Sequence, residues 1–269
     1  MKNLRVLALL AGLLTFSGLA YAGECDLTVA VGTQCTINTA IFQGINPQAT
    51  GTGLIDPFVQ ISGAGVKEDD PSDDFVQTEG YNTTANNVFE NTSADNWNHE
   101  LLLTNVPIVN IDGKDYYEFV LDINESVGGG ENFLSLDEVQ IFQSSIANQS
   151  VETFSSGIVA LVGTLVYDLD SDEDNVVLLD YSFNTGSGSG DMSLYVLASA
   201  FGTGDYVYLY SHFGGEGTVG ERKYGTSDGF EEWTTRGTST PVPEPASLIL
   251  LGTGLLGVAG KVRKRMKKS

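Results

Sequence analysis

The feature that most constrains this chain is an alternation of apolar and polar residues that recurs in short runs. Residues 116–124 show it most clearly: Tyr117, Phe119, Leu121 and Ile123 fall on one side, Glu118, Asp122 and Asn124 on the other. A period of two is that of a strand with one face buried. Similar runs follow at Leu134–Phe142, Ile158–Tyr167, Val176–Phe183, Met192–Ala200 and Tyr206–Phe213, with shorter ones at Glu100–Leu103, Val106–Val109 and Glu231–Thr235. Gly, Asn, Asp and Ser clusters separate them, as turns require. The Asp112-Gly113 pair reads as a hairpin turn. No amphipathic helix of about ten residues interrupts the series. The pattern predicts an all-β fold, an antiparallel two-sheet β-sandwich or jelly roll, with an antiparallel barrel as the alternative. Residues 62–98, rich in Asp, Asn and Thr, read as long surface loops.

The ends have a different composition. Lys2 and Arg5, the apolar run Val6–Leu14 and Ala20-Tyr21-Ala22 fit a secretory signal peptide over residues 1–22. At the other end, Gly237 to Pro243 reads as a linker, followed by an apolar run from Ala246 to Gly260 and a basic tail. The run predicts a transmembrane helix over 246–262, short for a hydrocarbon core of about 30 Å. The basic cluster after it belongs on the cytoplasmic side.

Setting these segments aside changes the charge. Of 13 Lys and Arg, two lie in the signal and six in the tail; of 35 Asp and Glu, only Glu244 lies outside residues 23–240. The exported portion therefore holds five basic and 34 acidic residues, a net −29 against −22 for the whole chain. Nucleic acid is excluded as a partner, because phosphates need Lys and Arg.

Within residues 23–236, the expected exported domain, a few residue sets could carry chemistry. Cys25 and Cys35 are the only cysteines, and export predicts a disulfide between them. It would close a loop of about ten residues and contribute about 2–3 kcal/mol. Asp168, Asp170, Asp172 and Asp174 alternate through a turn, a spacing that can turn several oxygens toward one Ca²⁺. Asn175 stands where an EF-hand has its turn glycine and Tyr181 where it has its bidentate acid, so the readings left are a structural calcium in a β-turn or an acidic hairpin facing water. Tyr206, Tyr208 and Tyr210 share one face of a strand and either pack in the sheet or form a platform for sugar rings. His99 and His212 are the only histidines. Ser227 lies in Gly225-Thr-Ser-Asp-Gly229 without a histidine after it, so a hydrolase order of Ser, acid, His cannot be completed. With 34 acids, some carboxylate pair will always have glycosidase spacing, so that signal carries no information.

The order Val-Pro-Glu-Pro, short Leu- and Gly-rich helix, Arg/Lys cluster resembles the PEP-CTERM sorting signal of Gram-negative bacteria, with Pro243, Glu244 and Pro245 as its defining residues. The resemblance implies recognition by an exosortase, a membrane transpeptidase that would remove the helix. It also implies delivery to the cell surface or matrix, with exopolysaccharide as an associated partner. Signal peptidase and the Sec machinery would act first. Much of 50–235 also looks like a subgroup of PEP-CTERM proteins, a kinship that implies no mechanism. Together these features predict a non-enzymatic, exported envelope or matrix protein. A calcium-assisted carbohydrate-binding module and a secreted hydrolase are the alternatives.

Overall fold

The computed structural model describes residues 23–45, 57–62, 66–67, 76–85, 88–92, 97–186, 188, 190–227 and 229–236. The expected signal segment 1–22, the linker and tail 237–269, and with them Pro243, Glu244 and Pro245, lie outside the described residues. So does the expected membrane helix over 246–262. Among the described residues no helix is long and apolar enough to cross a membrane.

The described chain is mostly β-strand, in several sheets, with three single-turn 3₁₀ segments. The strands before residue 100 are β1 (Gly23–Asp26), β2 (Gln34–Ile37), β3 (Ala40–Gly44), β4 (Pro57–Ser62), β5 (Val66–Lys67) and β6 (Val76–Tyr81). There follow β7 (Leu101–Leu102), β8 (Ile108–Ile111), β9 (Lys114–Asp122), β10 (Phe133–Ser144), β11 (Phe154–Ser155), β12 (Ile158–Val159) and β13 (Thr164–Asp168). The last are β14 (Asn175–Asp180), β15 (Met192–Leu197), β16 (Tyr206–Phe213), β17 (Thr218–Val219), β18 (Arg222–Lys223) and β19 (Phe230–Thr234).

One large sheet runs β1-β14-β10-β16-β6-β5, with β13 also on β10 and β7 on β16. The other runs β2-β3-β15-β9-β19-β4, with β8 on β9. Their apolar side chains meet in one core: Leu134, Leu136, Val139, Ile141 and Leu209 from the first sheet, Phe42, Phe119, Leu121, Leu194 and Trp233 from the second. Fully burying such a side chain contributes about 1.5–3 kcal/mol. On β10 the inward residues change parity between Leu136 and Val139. The register against β16 shifts there, between Leu136 and Glu138, so an extra residue keeps both halves facing the core. The β8–β9 hairpin turns at Asp112 and Gly113, whose φ values of 51° and 81° are those of a type I′ turn.

Four features depart from the sequence expectation. The sheets are not wholly antiparallel: β1 lies parallel to β14, Cys25 opposite Val177. No hairpin leads into β1, so nothing local fixes its direction. Residues 62–98 are not only loop: β6 pairs with β16 and carries the fully buried Tyr81. Third, β13 and β14 are not the two arms of a hairpin. Both pair antiparallel with β10, at Gln140–Gln143 and at Phe133–Leu136, so residues 169–174 are a loop let out of one interrupted strand. Finally, β9 is buried on both faces: Glu118 and Asp122 are as inaccessible as Phe119 and Leu121.

Candidate functional site

The polar face of β9 leads to the most unusual chemistry in the molecule. Asp122 points away from the core residue Leu121, yet is only 2 % exposed. Gly188 N–H donates to Asp122 Oδ2 at 2.7 Å and Gly190 N–H to Oδ1 at 3.3 Å. Only glycine fits at 190: its φ is 68°, and an added Cβ would stand 2.6 Å from Val120 Cγ1. Next to it, Asp191 is 8 % exposed and accepts the Ile123 N–H at 2.9 Å through Oδ2, while its Oδ1 receives no hydrogen bond. Burial pushes the Asp191 carboxyl well above the usual carboxylate range, and the neighbouring Asp122 and Asp180 add to the effect.

Two glutamates stand in the same neighbourhood. Glu231 on β19 is fully buried; its Oε2 accepts the Asn124 N–H at 3.4 Å and its Oε1 receives nothing. Glu125 accepts from both the N–H and the hydroxyl of Ser227. The Glu231 carboxyl is likewise held well above its ordinary range, by burial first and then by Glu125, Asp122 and Asp191. An ionised carboxylate without a cation costs several kcal/mol to bury, so the neutral acid is favoured for both Asp191 and Glu231.

The conspicuous aspartates of the sequence are placed differently. Asp168 Oδ1 accepts the Asp170 N–H at 3.1 Å, and Asp170 Oδ1 accepts the Asn175 N–H at 2.8 Å. The Asn175 amide closes the neck of the loop by donating to Leu169 O and Glu173 O, both at 2.8 Å. Asp172 and Asp174 face solvent. Thus two of the four carboxylates hold the loop's own backbone. Beside them Glu138 is pushed up to about 8, by burial and then by Asp170 and Asp168. Asp170 and Asp137 are raised to about 6, burial again leading. Among the described residues no group of three or more Asp, Glu, His or Cys is arranged to hold a metal ion, whether in this loop or around Asp122.

The tyrosine row does not form a platform. Tyr208 and Tyr210 are buried and, with Tyr81, Val88, Phe142, Val159 and Leu161, make a second apolar cluster on the outer face of the first sheet. The segment after β10 covers them: Tyr208 Oη donates to Ile146 O at 2.8 Å, Tyr81 Oη to Gln149 O at 3.1 Å. Tyr210 Oη donates to Glu79. The two histidines serve separate places, His99 Nδ1 against Glu100 O and His212 Nε2 against Gln77 Oε1. Cys25 and Cys35 are joined by a disulfide with Cα atoms 5.9 Å apart, and it ties β1 of one sheet to β2 of the other.

The tail, by contrast, is identified by comparison. Residues 241–264 match the family described as the PEP-CTERM protein-sorting motif. The chain carries a PEP-CTERM sorting domain. The motif implies exosortase-dependent export with a membrane-anchored sorting stage. It spans only the tail, so it assigns no chemistry to the β-domain. No curated protein and no solved structure matches the chain.

The sequence does not assemble the buried acid group, because its members come from separate segments, around residues 122–125, 191 and 231. Two signals point to it: Asp191 directly after the glycine run that ends at Gly190, and Asp122 inside Phe-Val-Leu-Asp-Ile, a charged residue amid apolar neighbours.

Proposed function

We propose that this chain is a non-enzymatic, exported protein of the cell envelope or extracellular matrix, a jelly-roll-like β-sandwich delivered by its PEP-CTERM tail. The single observation that carries the reading is the sorting motif at residues 241–264, attached to a strongly acidic β-domain. The signal segment 1–22 brings the chain to the Sec machinery and signal peptidase. The tail then holds it in the inner membrane until an exosortase cuts near Pro243-Glu244-Pro245. Cutting removes six basic residues and leaves a domain with 34 acids against five bases, a soluble polyanion suited to a hydrated matrix containing exopolysaccharide.

The alternatives have less support. A hydrolase needs acids that a substrate can reach, whereas Asp122, Asp191 and Glu231 are buried. A sugar platform needs exposed rings, whereas Tyr208 and Tyr210 lie in a packed cluster. The test is mass spectrometry of the protein from its native host. The expected mature species starts near Gly23 and lacks residues 246–269; a mature species that retains those residues overturns sorting by cleavage.

A further inference from the structure

Asp122, Glu125, Asp191 and Glu231 stand at one end of the two large sheets, at the end of β9 and the starts of β15 and β19. Of the described basic side chains, Lys223 pairs with Glu131, Arg236 with Glu118 and Arg222 with Thr28 and Tyr224, while Lys114 is exposed in the β8–β9 hairpin at the other end of β9. Asp191 and Asp122 are close neighbours: Gly190 N–H reaches Asp122 Oδ1 at 3.3 Å, and Asp191, the next residue, accepts the Ile123 N–H at 2.9 Å. Two ionised carboxylates buried side by side without a cation repel each other and lose their hydration. One of them is favoured as the neutral acid, and the backbone identifies which. Asp122 accepts from Gly188 and Gly190, which favours the anion there. Asp191 Oδ1 is buried and has no hydrogen-bond partner, which disfavours the anion there. Of the glutamates, Glu125 receives two donors from Ser227, both at Oε2, while Glu231 is fully buried, accepts the Asn124 N–H at 3.4 Å through Oε2 and receives no donor at Oε1.

We propose that Asp191 and Glu231 are proton-binding sites that lock this end of the domain, and that their deprotonation releases Gly188 and Gly190 from Asp122 and loosens the residues that follow β9. The groups facing Asp191 are Asp122 from β9 and Asp180 from the end of β14; those facing Glu231 are Glu125, Asp122 and Asp191. All are acids, so every charge created makes the next one harder to create. The sign follows. Both carboxyls have folded values above their unfolded ones, so their contribution is fully present below the unfolded range and is lost as pH rises through the folded range. Alkaline conditions therefore unlock the end, and acid holds it closed.

The direct test is a ¹³C NMR titration of side-chain carboxyls in the full chain, kept in detergent. The Asp191 and Glu231 carbons should remain at acid-form shifts well above the ordinary carboxylate range. Titration of Asp191 and Glu231 within that ordinary range overturns the proposal. A second readout is amide hydrogen exchange at Ile123 and Gly188. From about pH 7 to about pH 9 it should accelerate beyond the base-catalysed increase of exposed loop amides, and Asp191→Asn should abolish the excess. An excess that persists unchanged in that variant contradicts the lock. Adding CaCl₂ at neutral pH should leave the Asp191 and Glu231 signals in place; if calcium shifts them instead, a cation rather than a proton neutralises the cluster and the proposal fails.

Discussion

Two groups of acids in this molecule invite comparison. The loop 168–174 holds four aspartates within seven residues, and the eye finds it at once. The group around Asp122 is assembled from separate segments and is invisible along the chain. Their physics runs opposite to their visibility. In the loop, Asp172 and Asp174 are hydrated, and Asp168 and Asp170 accept local backbone N–H groups. Around Asp122, the carboxyls of Asp122, Glu125, Asp191 and Glu231 all come from buried residues. Density of charge along a sequence measures repulsion that solvent screens; placement in the fold decides which charges perturb stability.

The largest break in this comparison should come from Asp122→Ala. It removes the buried acceptor of two backbone N–H groups, and should destabilise by about 3 kcal/mol or more in urea denaturation. The matching Asp172→Ala in the loop should stay within about 0.5 kcal/mol. Equal losses would erase the distinction between the two regions.

Next comes the disulfide that holds β1 beside the loop's neck. Replacing Cys25 and Cys35 by Ser should cost about 2–3 kcal/mol in the same assay. A loss below about 0.5 kcal/mol would mean that β1 is anchored without it.

Arg236→Ala tests a buried acid that does have a cation. Glu118 is 3 % exposed and pairs with the Arg236 guanidinium at 2.9 Å, with Ser193 Oγ also donating at 2.9 Å. The serine and the half-exposed arginine limit the damage, so about 1–2 kcal/mol is expected, and Glu118→Gln should recover part of it in the Arg236→Ala background.

The smallest effect is expected at the loop's margin. Glu138, pushed up to about 8, has a folded value above the ordinary 4.5, so its contribution is lost as pH rises between those limits. Glu138→Gln should flatten that part of the stability profile. An unchanged slope would show that Glu138 ionises freely beside Asp168 and Asp170.

The legibility of the chain follows the same division. After residue 100 the strands were readable because apolar periodicity and turn residues agreed, as at Asp112-Gly113 between β8 and β9. Before it, β6 reads Val-Gln-Thr-Glu-Gly-Tyr, with little alternation, since it buries Thr78, Gly80 and Tyr81 against β16 and the segments covering it. The break between β13 and β14 was legible as a turn, but not its return to the same edge of β10, because pairing partners lie far away in sequence. The two-sided burial of β9 was hidden for a related reason. Alternation shows which face meets the core, and says nothing about Gly188 and Gly190, whose N–H groups later meet the other at Asp122. The tail needed no fold to be read, because a sorting enzyme recognises it as an extended segment.

The central contrast can be measured in one experiment: the slope of melting temperature against pH, from about pH 5 to about pH 8, for the wild type and two double variants. Asp191→Asn with Glu231→Gln should flatten the fall in stability with rising pH and raise the melting temperature at the alkaline end. Asp172→Asn with Asp174→Asn should leave the slope nearly as it is. The reverse outcome, a flattened slope from the loop variant and an unchanged one from the buried pair, would contradict the account.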